Sequence, residues 1–310
     1  MKKIVIAEFM DPPAVQALSK HAQVHYDETL ADDPKRLFAL VADADALIVR
    51  NRTQVRGELL AACKAITVVG RLGVGLDNID VEACDARGIR VIPATGANAL
   101  AVAEYVVATA MVLLRGAYQS TDQVAAGTWP RAALSTGRET AGKTLGLIGF
   151  GGIGRLTARL AQGLGMEVIA FDPVLDARDP AWDEGRVERV AFYDLLARAD
   201  VVSLHVPLTK QTRGLLSAEH VANMKQGAIV INTARGGIAD EQAIASAIRS
   251  GALGGAAFDV FHPEPLLEDN PWKGCPNVIL TPHVAGVTAE ANERVSAMIA
   301  REVALALGLG

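Results

Sequence analysis

The stretch Gly149–Gly154 constrains the fold of this chain more than any other, because it follows the pattern G-x-G-x-x-G between a strand and a helix. The apolar run Leu145–Ile148 before it predicts a buried strand. The stretch Arg155–Leu164 after it, with a leucine at every fourth position, predicts a helix. A second strand is predicted over Glu167–Phe171, directly before Asp172. This order is typical of a βαβ unit with an acidic residue at the end of its second strand.

Each glycine of the pattern has a separate physical reason. Gly149 permits a tight turn, Gly151 lets the backbone approach a pyrophosphate, and Gly154 lets the helix pack closely on the strand. Unpaired N–H groups at the helix N-terminus attract the phosphate charge. The pattern therefore predicts a dinucleotide site that includes Gly149, Phe150, Gly151, Gly152, Ile153 and Gly154. The alternative is a glycine-rich turn that binds no ligand.

Asp172 indicates which dinucleotide would bind. Its carboxylate can accept hydrogen bonds from the ribose hydroxyls of NAD, and it would repel the 2′-phosphate of NADP. The next residues, Pro173–Leu175, offer no cation to a phosphate. The sequence therefore predicts NAD as the cofactor.

The composition narrows the classes of partner and compartment. The net charge of −5 does not favour a nucleic-acid partner, and no apolar run approaches the roughly 20 residues of a membrane helix. The apolar N-terminal run stops at Glu8, too early for a secretion signal. Cys63, Cys84 and Cys275 lie far apart, without metal-binding or disulfide spacing. We expect a cytoplasmic protein with reduced thiols, no metal site, and no nucleic-acid or membrane partner.

Strand and helix patterns alternate along the whole chain, which predicts α/β domains with parallel sheets. The strands of the first part are predicted over Lys3–Ala7, Val24–Tyr26, Ala46–Val49, Thr67–Val69 and Arg90–Ile92. Those of the second part are predicted over Leu145–Ile148, Glu167–Phe171, Val201–Val206, Ala228–Asn232, Gly255–Asp259 and Val278–Thr281. Pro93–Asn98 is predicted to be a linker, and Thr288–Leu307 an amphipathic helix that packs on the first domain.

The segment Ala99–Leu114 predicts a helix of unusual character. It is apolar on nearly every face, with Glu104 as its only charge. Such a helix must be buried on all sides, in a core or at an interface. We favour the interface and predict a homodimer.

Polar segments follow several strands of the second sheet, at His205–Thr209, Asn232–Gly237, Asp259–Pro265 and Thr281–Gly286. Ligands of open α/β sheets bind outside the carboxyl ends of the strands. The side chains expected to converge there are Arg235, Asp259, Glu264 and His283. Each alone would more often be structural, but their order behind a nucleotide motif favours catalysis.

These motifs together resemble the D-isomer-specific 2-hydroxyacid dehydrogenase family over almost the full length. The glycine motif, Asn232–Gly237, Pro263–Pro265 and Thr281–His283 occur in the family order, and Arg71–Asp80 resembles its substrate loop. The resemblance implies an α/β protein with two doubly wound domains. A Rossmann NAD-binding domain, residues 99–282, would be inserted in a flavodoxin-like substrate-binding domain, residues 1–98 and 283–310.

The resemblance and the residue chemistry together imply the catalytic roles. Reduction of a 2-keto acid requires a hydride at carbon and a proton at oxygen. His283 suits the proton transfer, and Glu264 would orient its ring and stabilise the imidazolium. Arg235 would hold the substrate and polarise its carbonyl.

Binding residues are implied by the same resemblance. Asp259 matches the family residue that receives the nicotinamide carboxamide, and the other implied cofactor contacts are His205, Val206, Pro207, Thr212, Thr233, Ala234 and Gly286. The loop of Gly73, Val74 and Gly75 would hold the substrate carboxylate through backbone N–H groups. Arg52, Arg71 and Arg131 would hold a second anionic group, unless they serve surface or dimer ion pairs.

The substrate is left open among several 2-keto and 2-hydroxy acids. Glu8–Asp11 and Arg50–Thr53 resemble the family branch that acts on (S)-sulfolactate, while 3-phosphoglycerate and glyoxylate or hydroxypyruvate are the alternatives. A different class, a corepressor-like protein that binds peptides and senses NAD, is also open. The complete set of Arg235, Glu264 and His283 argues against that class.

Overall fold

The computed structural model describes residues 1–309 and divides into two compact units, Met1–Asn98 with Val287–Gly310, and Ala99–Gly286. This boundary lies four residues beyond the predicted one, because residues 283–286 belong to the second unit. The N–H groups of Val284 and Ala285 donate to the carboxylate of Asp259 in that unit. The division agrees with an insertion of one unit into the other.

The strands of both units pair in parallel throughout. They are β1 Lys3–Ile6, β2 Gln23–Tyr26, β3 Ala46–Val49, β4 Val68–Arg71, β5 Arg90–Pro93, β6 Thr144–Ile148, β7 Glu167–Phe171, β8 Glu188–Arg189, β9 Val201–Leu204, β10 Ala228–Asn232, β11 Leu253–Phe258 and β12 Val278–Leu280. The helices are α1 Pro12–Ser19, α2 Pro34–Val41, α3 Gly57–Ala62, α4 Val81–Ala86, α5 Ala99–Arg115, α6 Thr121–Ala125, α7 Gly152–Gly163, α8 Ala181–Gly185, α9 Phe192–Arg198, α10 Ala218–Ala222, α11 Glu241–Arg249 and α12 Ala289–Ala306. Short 3-10 turns cover Leu30–Asp32 and Tyr118–Ser120.

The first unit has a sheet of order β2-β1-β3-β4-β5, which is the flavodoxin-like order. Apolar residues fill its strands and form a core on each face of the sheet. Helix α12 begins after the N-cap Thr288 and packs Val295, Ile299 and Val303 against this sheet. The prediction that the C-terminal helix packs on the first domain is therefore confirmed.

The second unit has a sheet of order β12-β11-β10-β9-β6-β7-β8. Counted from β6, this is the doubly wound Rossmann order with one further strand at the edge. The chain reverses direction of winding between β6 and β9, so a crevice is expected outside the carboxyl ends of these two strands. The six strands predicted for this part are all present, and the α/β fold class is confirmed.

Helix α5 buries most of its surface within its own unit. Val106, Ala110 and Leu113 pack into a core shared with β6, β7 and α7. A narrow stripe that includes Leu100, Glu104 and Met111 stays exposed. The core of the second unit thus accounts for most of the apolar residues of α5, and burial of the remaining stripe at an interface stays a prediction.

Two further properties bear on possible partners. Within the described residues, no single helix is long and apolar enough to cross a membrane; α5 and the segment Tyr118–Ala125 meet the length and composition only jointly, across a 70° bend. Residues 1–309 contain no cluster of three or more His, Cys, Asp or Glu side chains that could hold a metal ion.

Candidate active site

The carboxyl edge of the second sheet gathers most of the predicted site. Parallel strands end at the same edge, so the residues that follow them meet there. These residues are Gly149 after β6, Asp172 after β7, His205 after β9, Arg235 after β10, Asp259 and Glu264 after β11, and His283 after β12. The structure therefore brings the three predicted catalytic side chains and the predicted nucleotide loop to one edge of one unit.

His283 and Glu264 form a hydrogen-bonded pair. Nδ1 of the imidazole lies 2.8 Å from Oε2 of the carboxylate, and both side chains are partly exposed. The other carboxylate oxygen accepts a hydrogen bond from the backbone N–H of Phe261 at 2.9 Å. Because an ionised carboxylate can only accept, Nδ1 carries a proton and donates it. Nε2 is then the atom that takes up a proton when the ring is neutral and releases it when the ring is charged.

Asp259 anchors the loop that carries His283. Its side chain is 1% exposed. Oδ1 accepts from the Thr281 hydroxyl at 2.6 Å and from Val284 N–H at 2.8 Å, while Oδ2 accepts from Ala285 N–H at 2.8 Å. Its carbonyl oxygen also accepts from His283 N–H at 2.8 Å. These bonds hold His283 in the left-handed conformation, at φ +57°, which few side chains adopt without support.

Tyr105 extends this anchor and was not found from the sequence. Its hydroxyl lies 2.6 Å from the Thr281 hydroxyl. Thr281 has a single hydroxyl proton, which it donates to Asp259, so Tyr105 must be the donor to Thr281. Burial raises the pKa of Tyr105, and the nearby Asp259 charge adds to the shift, so the tyrosine keeps its proton.

Arg235 sits on a turn that other residues hold in place. The buried Asn232 side chain accepts from Ala234 N–H at 3.0 Å and donates to the Arg235 carbonyl at 2.9 Å. Arg235 itself donates from Nη1 to the Ala234 carbonyl at 2.6 Å. A Cβ on Gly236 would lie 1.9 Å from the Phe261 carbonyl oxygen, so only glycine lets this turn pack against the segment before Glu264.

Asn232 and Gly236 were quoted within a motif but not predicted as functional residues. The available signal was an asparagine at a strand end, since its amide commonly closes such turns.

The loop Gly149–Gly154 fits a dinucleotide by its shape. Gly149 has φ +98°, and a Cβ there would lie 2.8 Å from the His205 carbonyl oxygen. A Cβ on Gly154 would lie 2.5 Å from the Gly149 carbonyl oxygen. The positions of Gly151 and Gly152 face open space, with no atom within 4 Å of a Cβ. Helix α7 begins here, and its first N–H groups have no acceptor within the helix.

Phe150, which was predicted as part of the dinucleotide site, points its side chain into the unit. Its ring is fully buried and stacks on Trp182, with centroids 4.8 Å apart. Its N–H donates to Asp172 and its carbonyl accepts from Arg155. Phe150 therefore packs inside the unit, and both of its backbone polar groups are already bonded.

Asp172 accepts hydrogen bonds from the N–H groups of Phe150, Val174 and Leu175, at 2.8, 2.9 and 3.1 Å. Burial acts to raise the pKa of Asp172, but these N–H groups outweigh it and lower the pKa below its usual value. A carboxylate offers about four acceptor positions, so one remains for a ribose hydroxyl. Asp172 thus joins the glycine loop to the end of β7 and fits an NAD ribose.

The other predicted cofactor contacts lie at the same edge. His205 pairs through Nε2 with the Ser203 hydroxyl at 2.9 Å, and burial lowers its pKa to about 4, so its ring is neutral at physiological pH. The Thr212 hydroxyl donates to the Pro207 carbonyl at 2.5 Å, within the loop that also carries Val206. The buried hydroxyl of Thr233, beside Ala234, has no partner within residues 1–309, as expected where a ligand would bond. Gly286 ends the second unit.

In the first unit, the predicted substrate residues follow β3 and β4. Arg71 donates to the Leu72 carbonyl at 2.9 Å, and its guanidinium occupies the space where a Cβ of Gly73 would lie. Val74 is partly exposed, next to Gly75. Gly73 is therefore required for Arg71 to lie across its own loop.

The predicted distal arginines differ in placement. Arg52 forms an ion pair with Asp32, and both side chains are more than half exposed. Arg131 lies in the second unit, on an exposed segment after α6. Arg50, which was quoted but not assigned a role, is half-buried, and its Nη2 donates to the Asn292 side chain at 2.8 Å. Asp32 thus competes with a substrate anion for the Arg52 guanidinium. Arg50 is therefore the better candidate for binding the second anionic group.

A Rossmann unit with a histidine–carboxylate pair at the same sheet edge as its nucleotide loop is typical of one class, the nicotinamide-dependent dehydrogenases. The family model for the NAD-binding domain of D-isomer-specific 2-hydroxyacid dehydrogenases matches residues 107–285. The chain belongs to this family of NAD-dependent enzymes.

Similar proteins extend the match over both units. The chain is 54% identical over 310 residues to (S)-sulfolactate dehydrogenase of Chromohalobacter salexigens, covering 100% of this chain and 99% of that protein. It is 40% identical to D-3-phosphoglycerate dehydrogenase of Mycobacterium leprae, covering 98% of this chain but 56% of that protein. It is 37% identical to hydroxypyruvate reductase of Thermotoga maritima, covering 99% of each. The crystal structure of the TT0316 protein of Thermus thermophilus superposes with a TM-score of 0.88 at 31% identity, covering 99% of this chain and 97% of that one.

Proposed function

We propose that this enzyme interconverts a D-type 2-hydroxy acid and its 2-keto acid, and that the substrate carries a second, strongly acidic group. The candidate we favour is (S)-sulfolactate with sulfopyruvate. The observation that carries the second acidic group is Arg50, a half-buried residue at the carboxyl edge of the first sheet, and the similarity to an (S)-sulfolactate dehydrogenase favours the sulfonate. Within residues 1–309 no carboxylate forms an ion pair with it, and its bonded partner is the neutral Asn292. A sulfonate or phosphate would supply the missing anion.

The chemistry follows from the residues at the edge of the second sheet. NADH, when bound, would supply the hydride. His283 donates the proton from Nε2 to the keto oxygen, and Glu264 holds the ring by Nδ1 and stabilises its charged form. Arg235 holds the reacting 2-keto acid end. In the direction of oxidation the neutral His283 accepts the hydroxyl proton.

A panel of keto acids with NADH and NADPH tests this function. We expect kcat/KM for sulfopyruvate to exceed that for glyoxylate by roughly 10- to 150-fold, the value of one charge-assisted hydrogen bond of about 1.5–3 kcal/mol. Phosphohydroxypyruvate and hydroxypyruvate complete the panel. A preference for phosphohydroxypyruvate would assign a phosphoglycerate dehydrogenase. A preference for glyoxylate or hydroxypyruvate would contradict the proposal of a distal anionic group and assign a reductase of small keto acids. A preference for NADPH would contradict the role of Asp172 in binding the NAD ribose.

We also propose a homodimer, formed by the exposed stripe of α5 and the segment 118–136 that follows it. Leu100 and Met111 lie on the stripe, and Tyr118, Val124 and Trp129 are exposed on the segment, with Trp129 77% exposed. Exposed large apolar side chains of this kind are typical of an interface. The buried, unpaired thiols of Cys63, Cys84 and Cys275 support a cytoplasmic enzyme.

Light scattering at micromolar concentration tests the interface. We expect the wild type to have twice the chain mass of 32.5 kDa, and Met111→Glu combined with Trp129→Ser to shift it to the monomer, because a charge would be buried without a partner. Leu305→Glu is the control, since Leu305 is an exposed leucine on α12 of the first unit. A monomeric wild type would exclude the dimer, and a dimeric double variant would place the interface elsewhere.

A further inference from the structure

The segment after β1 contains a buried acid that the mechanism does not use. Glu8 is 3% exposed, and its carboxylate accepts hydrogen bonds from the backbone N–H groups of residues 50 to 53. Oε1 accepts from Arg50 at 2.8 Å and Thr53 at 3.0 Å. Oε2 accepts from Asn51 at 3.2 Å and Arg52 at 3.0 Å. One internal carboxylate thus fixes the whole loop that follows β3.

The same loop is held from its other side by Asn78. The Asn78 side chain is buried and donates to the Thr53 carbonyl at 2.7 Å and to the Arg50 carbonyl at 3.3 Å. Asn78 belongs to the segment that continues the Gly73–Gly75 loop. Glu8 and Asn78 therefore lock together the two loops from which the first unit would contact a substrate.

The charge of Glu8 is satisfied without Arg50. Its four acceptor positions are all taken by backbone N–H groups, so none remains for a guanidinium. Burial acts to raise the pKa of Glu8, but the N–H groups outweigh it and the pKa lies below its usual value. Burial lowers the pKa of Arg50, and the nearby charge of Glu8 opposes this shift. Glu8 has no acceptor position left to bond the guanidinium, so a second anion can bond it.

The Arg50 side chain is also fixed in direction. Its Nη2 bonds Asn292 at 2.8 Å, and its guanidinium carbon lies 5.8 Å from the centre of the Phe9 ring, next in sequence to Glu8. Arg52, two residues further along the loop, turns instead to Asp32. The loop thus separates its two arginines, one toward a surface acid and one toward a neutral partner.

We infer that Glu8 is a positioning residue that sets the specificity of this enzyme, by holding loop 50–53 so that Arg50 is preorganised for the distal anion of the substrate. This rests on the proposed function, since it concerns the sulfonate or phosphate end. Preorganisation affects affinity for that end and leaves the reacting end untouched. The predicted signature is therefore a change in KM that depends on the substrate.

The variant Glu8→Gln tests the inference with the full enzyme. Glutamine has one carbonyl oxygen, and its NH2 group would face two of the backbone N–H groups, so the loop must rearrange. We expect KM for sulfopyruvate to rise at least ~10-fold, the lower value of one charge-assisted hydrogen bond. We expect kcat for sulfopyruvate, both constants for glyoxylate, and the Kd of NADH from fluorescence titration to change less than about threefold.

Further variants separate positioning from general damage. Asp45→Asn is the matched control. Asp45 directly precedes β3, at the end of the strand opposite to loop 50–53, and its carboxylate also accepts from a backbone N–H, that of Lys3. Asp45→Asn should leave the ratio of KM for sulfopyruvate to KM for glyoxylate unchanged. Glu8→Asp keeps the charge with a shorter reach and should have an intermediate effect. If both Glu8 variants fail to fold, Asn292→Ala releases the Arg50 guanidinium directly and should raise KM for sulfopyruvate selectively.

The outcomes are distinguishable from those of the proposed function. If the wild type does not prefer sulfopyruvate or phosphohydroxypyruvate to glyoxylate, the proposal that the substrate carries a distal anionic group is contradicted. The proposed role of Glu8 is then contradicted as well. If the wild type does prefer them but the folded Glu8 variants, or Asn292→Ala in their place, keep the preference within twofold, the proposed function stands and the inference about Glu8 is overturned.

Discussion

Replacing His283 with alanine should lower kcat at least ~100-fold while leaving the Kd of NADH nearly unchanged, because general acid catalysis contributes about 10²–10⁴-fold. The side chain is bonded to Glu264 through Nδ1 and is partly exposed, so its removal disturbs no core. Steady-state reduction of the preferred keto acid and fluorescence titration of NADH give the two values.

Two variants complete this test of the histidine. His262→Ala removes an exposed imidazole from the same segment as Glu264 and should keep kcat within about threefold. Glu264→Gln keeps the shape but removes the charge that stabilises the imidazolium, so we expect a smaller loss than for His283→Ala. Near-normal turnover of His283→Ala would contradict the assignment of the proton donor, whatever the other variants do.

The main strands could be predicted from apolar runs between turn residues, and the resemblance to a family implied the two doubly wound domains. Strand β8 could not be predicted in this way. Glu188 and Arg189 are both exposed and pair with β7 only through their backbones, which leaves no apolar pattern. The sequence also does not show which face of α5 is left outside the core, because Leu100 and Met111 are as apolar as the residues that the helix buries.

The types of the site residues could be predicted, but several of their connections could not. The sequence places two arginines in the 50–53 loop without showing where each guanidinium points. Asp32 bonds the guanidinium of Arg52, and Asn292 bonds that of Arg50. Both partners lie outside the loop in sequence. Which arginine is left to a substrate is therefore decided by tertiary contacts that a local pattern does not contain.

Asp259 illustrates the same limit for backbone groups. The resemblance to the family implied a contact of Asp259 with the nicotinamide, and that contact remains a prediction. The donors that surround it in the structure are mainly the N–H groups of Val284 and Ala285, and any residue but proline supplies these. The sequence therefore carries no signal that an acid at 259 holds the loop of a histidine at 283.

Replacing Asp259 with asparagine should damage both stability and turnover. The asparagine oxygen can still accept from Thr281 and Val284, but its NH2 group would face the N–H of Ala285. A buried donor left without an acceptor costs about 1–3 kcal/mol, which lowers the melting temperature by roughly 2–10 °C for a unit of this size. His283 then loses its support at φ +57°, and a shift of about 1 Å in a catalytic group costs on the order of 100-fold in rate.

Thr281→Val separates the anchoring of the loop from binding of the cofactor. It removes the hydroxyl that donates to Asp259 and accepts from Tyr105, and it leaves the carboxylate itself in place. If Asp259 acts mainly as an anchor, Thr281→Val should lower kcat about tenfold with the Kd of NADH unchanged, in the same direction as Asp259→Asn, since one hydrogen bond to a charged group is worth about 1.5–3 kcal/mol. If Asp259 acts mainly on the nicotinamide, Asp259→Asn alone should weaken NADH, and Thr281→Val should behave as the wild type. An Asp259→Asn enzyme that melts and turns over normally would contradict both roles, because a 1% exposed carboxylate with three donors would then have been dispensable.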